Sequence, residues 1–129
     1  FYSLGDFVFQ NETLHRLQAE NYEAYGLEAD NHVADFNMSR YSNETTGFPA
    51  NPEIWESVVA RPTFANGELT ELALHPITLG FGMPAWVRGR PMLARGDLAE
   101  KILNDLRERS APYGTEIDVR DGVGYVRVR

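Results

Sequence analysis

The sequence predicts an α+β fold made of β-hairpins, one long amphipathic helix and one or two short helices. Two dipeptides typical of tight hairpin turns, Asn66-Gly67 and Asp121-Gly122, each separate two partly apolar segments. Residues 97–110 place apolar side chains three and four residues apart, which is typical of a helix that buries one face. The 129 residues are enough for one domain with its own core and too few for two.

The first nine residues, nearly all apolar or small, predict a strand that is buried on both faces. Gly5 within this segment indicates a bulge or the close approach of another backbone. The chain begins inside the predicted strand, so we expect it to be the tail of a longer parent protein. An unpaired strand of this kind also predicts self-association through residues 1–9.

Two short helices are expected before the first hairpin. Residues 17–27 end near Gly26, which suits a left-handed helix cap. Residues 31–41 form the second candidate, with Asn31 as its predicted N-cap. Residues 42–53 have the composition of a loop.

The first hairpin is predicted to join strands at residues 57–64 and 68–77. Because proline cannot donate a ladder hydrogen bond, Pro62 and Pro76 are expected at strand ends or on a sheet edge. Alternation along the second strand predicts two faces, one with Leu72 and Leu74 and the other with Glu71, Ala73 and a partly exposed His75.

Residues 79–96 are rich in Gly, Pro and Arg and predict an ordered loop. In the helix that follows, Asp97 and Glu100 resemble a capping box, and Pro112 and Gly114 end the helix. Its predicted apolar stripe comprises Leu98, Ile102, Leu103 and Leu106. The final hairpin is predicted at residues 115–120 and 124–129.

Charge is unevenly distributed along the chain, whose net charge is −7. Residues 1–60 carry 2 basic and 10 acidic side chains, whereas residues 61–129 carry 10 basic and 9 acidic ones. This acidic balance argues against a nucleic-acid partner. The chain has no cysteine, which excludes disulfides and thiolate metal sites.

Two groups of residues are candidate sites. Arg88, Arg90 and Arg95 lie near Trp86 and form a candidate anion-binding group; the alternative is that they pair with acidic side chains of residues 1–60. Asp6, Asn11 and Glu12 form a candidate polar pocket; the alternative is that Asp6 faces solvent at a strand end. None of the three histidines has a partner at metal-ligand spacing.

The segment Phe1-Tyr-Ser-Leu-Gly-Asp-Phe-Val-Phe resembles a strand of the bacterial CapA family, which is named for capsule and poly-γ-glutamate synthesis. Asp6 stands where that family more often has Asn. The resemblance extends over most of the chain, through Gln10-Asn-Glu-Thr13, Trp55-Glu-Ser-Val-Val59, Leu74-His-Pro-Ile77, Leu79-Gly-Phe-Gly82, Gly89-Arg-Pro91 and Ser110-Ala-Pro112.

The resemblance implies a metallophosphoesterase-like α/β fold with two mixed sheets and a two-metal site for Mn, Zn or Fe. The family's metal-ligand motifs lie upstream of the strand with which this chain begins, so the chain itself is expected to hold no cofactor and to be catalytically silent alone. Residues 1–80 would end the metallophosphoesterase-like core, and residues 81–129 would form a C-terminal extension of the same region.

The resemblance also implies a role in capsule or poly-γ-glutamate biosynthesis, with the rest of the parent chain and poly-γ-glutamate as expected partners. It suggests the bacterial cell envelope, with the cytoplasm as the alternative. Two other interpretations stay open: a non-enzymatic module that binds an anionic polymer or a synthase partner, and a structural α+β domain without a ligand.

Overall fold

The computed structural model describes residues 5–10 and 14–128, and it confirms the α+β class. Five strands form one antiparallel sheet in which β1, β2, β5 and β4 are neighbours in that order and β3 pairs with β2. The strands are β1 (Glu56–Ala65), β2 (Glu68–Thr78), β3 (Met92–Leu93), β4 (Ile117–Arg120) and β5 (Val123–Val126). The helices are α1 (Ala19–Glu23), α2 (Val33–Arg40) and α3 (Gly96–Ser110), with short 3-10 helices at Phe48–Ala50, Pro52–Trp55 and Ala111–Tyr113.

Both predicted hairpins are confirmed. Asn66 and Gly67 have φ angles of 53° and 85°, and Asp121 and Gly122 have φ angles of 52° and 72°. Two successive positive φ angles are what a type I′ turn requires, and this turn matches the twist of the strands that it joins. Because β2 pairs with β1 on one side and with β5 on the other, residues 1–80 and 81–129 contribute to the same sheet.

Helix α3 covers one face of the sheet and forms the core there. Leu72 and Leu74 share a face of β2, as predicted, and pack in one cluster with Leu103 and Ile117. A neighbouring cluster contains Val58, Ala94, Ala99 and Ile102, with Leu106 packed against it.

The predicted helix at residues 97–110 is confirmed as α3, but its predicted capping box at Asp97 is wrong. Gly96, with φ 57°, turns the chain from β3 into the helix, so the helix begins before Asp97 and Arg95 is its N-cap residue. The core-facing side chains of α3 are the buried Ala99, Ile102 and Leu103 and the partly buried Leu106, whereas Leu98 is exposed. Spacing alone could not fix this rotation, because Leu98 and Ala99 both have neighbours three and four residues away.

Pro76 does not lie at a strand end, contrary to the prediction, but inside β2. Its carbonyl oxygen accepts a hydrogen bond from Ala94 N at 3.0 Å, on the side away from β1. The N and O atoms of a strand residue point to the same side, so the missing N–H of Pro76 removes no bond to β1. The Pro76 nitrogen faces the stretch of β2 between the residues that pair with β5 and those that pair with β3. Pro62 lies on the edge strand β1, as predicted.

The predicted N-terminal strand is wrong for the residues that the structure describes. Residues 5–9 form no strand, and Phe7 and Val8 are exposed. The backbone N–H of Phe9 donates to Gly89 O instead of to a neighbouring strand. Gly5 does lie close to another part of the chain, because a Cβ there would be 3.0 Å from Ser57 Oγ and 3.4 Å from the backbone oxygen of Glu56. Residues 1–4 lie outside the described part of the chain.

The first half of the chain forms the two expected short helices, with different ends. Helix α1 is shorter than predicted, but Gly26 has the predicted left-handed conformation (φ 68°). The N-cap of α2 is His32 rather than Asn31, and the Asp35 carboxylate accepts a hydrogen bond from His32 N at 2.8 Å. No helix within residues 5–10 and 14–128 combines the length and hydropathy needed to cross a bilayer.

The Asp35 cap predicts a pH-dependent contribution to stability. Its hydrogen bonds with the His32 backbone and the Asn31 side chain lower the Asp35 pKa below the ordinary value of 3.8. A lowered folded-state pKa stabilises the fold above the unfolded-state pKa, and this contribution disappears as the pH falls through the folded-state value. We expect Asp35→Asn to lower the melting temperature near neutral pH. The difference from wild type should vanish as the pH falls through the folded-state pKa of Asp35, which lies below 3.8. Asp30→Asn, in the preceding turn, is the control; a difference that is constant with pH would contradict the assignment.

Candidate functional site

Trp55 lies where three separate parts of the chain meet. Its side chain is 1% exposed, and its Nε1–H donates a hydrogen bond to Phe48 O at 2.8 Å. The Phe9 ring meets it edge-on, with ring centroids 5.3 Å apart. A pair with this geometry contributes about 0.5–1.5 kcal/mol beyond burial. We call Phe9, Trp55, Arg88 and Gly89 the Trp55 junction.

Arg88 is a buried cation over the Trp55 ring. Its side chain is 5% exposed, and its guanidinium carbon lies 5.3 Å from the ring centroid. One guanidinium N–H donates to Glu44 Oε1 at 2.6 Å, while the Glu44 side chain keeps 43% of its exposure. Glu44 follows α2 in a run of three left-handed residues, with Ser42, Asn43 and Glu44 at φ 48°, 56° and 65°. This turn brings the carboxylate to Arg88.

The Trp55 junction also closes a loop. Gly89 N donates to Leu79 O at 2.7 Å, so residues 80–88 form a loop with joined ends, which we call loop 80–88. Gly89 O accepts from Phe9 N at 2.9 Å. Gly89 has φ 87°, and a Cβ there would overlap the Phe9 carbonyl group, with the carbonyl carbon only 2.7 Å away. Glycine is therefore needed at this contact.

Loop 80–88 carries large apolar side chains outward, although its base is buried. Trp86 is 85% exposed, and Phe81 and Met83 are also exposed. Phe7 and Val8, next to Phe9 in the chain, are exposed as well. The junction thus fixes two segments that each present apolar side chains to solvent.

The three predicted anion-binding arginines do not lie in equivalent environments. Arg88 pairs with Glu44, an acid from residues 1–60, which is the alternative that the sequence left open. Arg90 is exposed, and its Nε donates to Val87 O at 3.2 Å. Arg95 is exposed at the start of α3 and lines a shallow groove with Glu100 and Asp121. Arg90 and Arg95 are therefore the two that face solvent.

Of the predicted polar pocket, only Asp6 lies in the described part of the chain, and its side chain is exposed. Asn11 and Glu12 lie outside that part. His75 is partly exposed on β2, as predicted. His15 and His32 line one open cleft of about 870 Å³ beside α1 and α2. Within residues 5–10 and 14–128, no three His, Asp or Glu side chains are grouped so as to hold a metal ion.

Sequence reasoning missed two features of this region. The first is the group of exposed apolar side chains on loop 80–88. Phe81 and Met83 could have indicated it, because a loop rich in Gly and Pro has no core of its own to bury them. Glu44 had no such signal, since its position depends on the left-handed turn that follows α2. The predicted loop, residues 79–96, contains loop 80–88, but the strand β3 within the same range was not predicted.

Comparison with known proteins gives relatives but no assigned activity. No family model matches the chain. Two proteins of Sinorhizobium fredii (strain NBRC 101917 / NGR234), named "Uncharacterized protein y4sH" and "Uncharacterized protein y4uA", are each 36% identical to it over 137 residues. The match covers 99% of this chain and 29% of each relative. The chain thus spans less than a third of the length of these relatives, and the CapA assignment stays a prediction.

The contact at Gly89 predicts a large effect of one methyl group. Gly89→Ala must either strain the backbone or release the segment that carries Phe9 from Trp55. Full burial of a Phe side chain contributes about 1.5–3 kcal/mol, and Phe9 is half-buried, so the expected loss in the free energy of unfolding stays below the top of that range. Gly82→Ala is the matched control, because Gly82 also has a positive φ (74°) but no atom within 4 Å of the added Cβ. If urea denaturation shows that the two variants lose the same free energy of unfolding, the close contact at Gly89 is contradicted.

The ion pair between the buried Arg88 and the half-exposed Glu44 predicts a measurable coupling energy. Hydrogen bonds to charged groups contribute about 1.5–3 kcal/mol when they are shielded from water. We expect a double-mutant cycle with Arg88→Met and Glu44→Gln to give a coupling in that range. The same cycle on Arg109 and Glu53, whose side chains are 66% and 57% exposed, should give only about 0.2–1 kcal/mol. Equal couplings would show that burial does not strengthen the first pair.

Proposed function

We propose that this chain is part of a CapA-type protein that acts in capsule or poly-γ-glutamate biosynthesis, and that it is catalytically silent on its own. The observation that carries this proposal is the contact between segments of CapA-like sequence that are far apart in the chain. Phe9 belongs to the first such segment and Gly89 to a later one, and their backbones are joined by a hydrogen bond of 2.9 Å. Trp55, which begins a third CapA-like segment, packs against Phe9.

The length of the relatives supports a role within a larger protein. The stretch that matches this chain is 29% of each relative. In a metallophosphoesterase-like parent, two metal ions would polarise the phosphoryl group and supply a bound water as nucleophile. The residues that the structure describes do not fit such a centre, since no three metal-ligating side chains converge among them. We therefore propose that the metal ligands lie outside the described residues, in the upstream part of the parent.

Deletion in the bacterial host tests the proposal. Removing the parent gene should lower the surface polymer, measured as γ-linked glutamate and as capsular carbohydrate. A parent truncated before the residues of this chain should fail to restore it, whereas a parent with Tyr113→Ala, an exposed residue after α3, should restore it. Unchanged polymer in the gene deletion would contradict the proposed role.

A second candidate function is a non-enzymatic module that binds an anionic polymer. The observation in its favour is that Arg90 and Arg95 are exposed and therefore accessible to repeated carboxylates. Each exposed contact would contribute about 0.2–1 kcal/mol, so affinity would depend on several contacts along the polymer.

Calorimetric titration of poly-γ-glutamate into the chain tests this second function. We expect binding at low salt that weakens steeply as salt rises, since exposed charges are screened. The double variant Arg90→Ala and Arg95→Ala should lose it, and the control Arg61→Ala and Arg127→Ala should not. A folded wild-type chain that binds no polymer at low salt would end this alternative for the isolated chain.

A further inference from the structure

We propose that loop 80–88, together with Phe7 and Val8, forms a docking surface for the part of the parent protein that lies outside this chain. The docking surface consists of Phe7, Val8, Phe81, Met83 and Trp86. The inference rests on the proposed function only in requiring a longer parent; it does not depend on the parent's substrate or metals.

The first argument is the exposure of these side chains. Trp86 is 85% exposed and Phe7 is 58% exposed, and the other three are between 40% and 54% exposed. Single exposed apolar residues are normal on a protein surface, but a group of them marks an interaction site. Here the two segments are joined at the base by the hydrogen bond between Phe9 and Gly89.

The second argument is that this surface has a buried support. The hydrogen bond from Gly89 N to Leu79 O closes the loop. Its last residue, Arg88, is held by its contacts with Trp55 and Glu44. Within the loop, Met83 packs over Gly80, where an added Cβ would lie 2.9 Å from Met83 Sδ. A surface that is already ordered loses less conformational entropy on binding. The loop is therefore suited to recognition.

The composition of the surface indicates the chemistry of its partner. Tryptophan and arginine are enriched among residues that contribute most to protein interfaces. Trp86 has Arg90 four residues away, and the Arg90 guanidinium is exposed with its Nε bonded to Val87 O. The partner is then an apolar protein surface with a carboxylate at its border, placed to meet Arg90.

Length and charge favour the parent chain over other occupants. More than two thirds of each relative lies outside the matched stretch, which is 29% of the relative. A partner in the same chain acts at an effective concentration of the order of millimolar, without any loss to dilution. A second copy or an anionic lipid surface would instead meet a chain of net charge −7, and like charges oppose both associations.

Hydroxyl-radical footprinting of the isolated chain and of the complete parent tests the proposal. In the parent, modification of Trp86 should fall roughly tenfold, because 85% exposure would become that of a side chain in an interface core. Phe7, Phe81 and Met83 should be protected as well. Tyr113, 87% exposed in the connection between α3 and β4, and Phe64, at the far end of β1, are matched aromatic controls that should react equally in both proteins.

Each other outcome would overturn the proposal. Equal modification of Trp86 in the parent and in the isolated chain would show that the surface is not covered in the parent. Protection in the isolated chain that rises with its concentration would assign the surface to a second copy. Protection only after addition of phosphatidylglycerol vesicles would assign it to lipid.

A variant series separates docking from folding. Trp86→Ser should change the melting temperature of the isolated chain by less than about 2 °C, because an exposed side chain contributes little to its fold. In the parent, the same change should restore the modification of Phe7 and Phe81 toward the rate in the isolated chain, whereas Tyr113→Ser should not. If the surface is protected in the parent but gene deletion leaves surface polymer unchanged, the docking surface stands and the proposed function fails.

Discussion

The burial of Trp55 is the constraint on which the arrangement of the other segments depends. Its backbone oxygen accepts a hydrogen bond from Leu79 N at 2.7 Å, which joins the start of β1 to the end of β2. The indole N–H of Trp55 donates a hydrogen bond to Phe48 O. The Trp55 ring also packs against the Phe9 ring and lies under the Arg88 guanidinium. Replacing a buried Trp by a small residue costs about 3–5 kcal/mol. Here it would also deprive Arg88 of its aromatic partner, so the loss would reach loop 80–88.

The Arg88 guanidinium can be buried beside Trp55 because its ion-pair partner, Glu44, remains half in water. Moving two charges fully out of water costs several kcal/mol for each ion, and a pair rarely recovers all of it. Glu44 keeps 43% of its side-chain exposure, so much of its hydration is retained while Arg88 gains a short charge-assisted hydrogen bond. The remaining cost is offset by the aromatic ring, because a cation over a desolvated Trp face gains about 2 kcal/mol. Lysine would lack the planar group that stacks on the ring and bonds to the carboxylate at once.

The sequence predicted the features that depend on local chemistry. The two type I′ turns follow from Asn-Gly and Asp-Gly, and the long helix follows from its apolar spacing, whatever lies around them. The errors have a common cause, which is that tertiary contacts decided the outcome. Residues 5–9 have the composition of a strand, but Phe9 is bonded to Gly89 and packed on Trp55. Pro76 could stay within β2 because its carbonyl bonds to Ala94 and its missing donor points away from β1. In the candidate site, Arg88 could be named from the sequence, but its choice of Glu44 among ten acids could not.

The residues on which the predicted resemblance to CapA rests show how a resemblance in fold differs from a resemblance in activity. The partly exposed Phe9 packs edge-on against the buried Trp55, and Gly89 is required by the close approach of a backbone. Each of these residues has a structural reason for its identity that involves no substrate. A shared set of such residues therefore supports a shared architecture more strongly than a shared reaction, since function is carried by the groups at a site. The exposed side chains of loop 80–88 have no comparable role in the core of this chain. Their identities are the ones most free to follow a partner, and it is there that proteins with the same Trp55 junction would differ in what they bind.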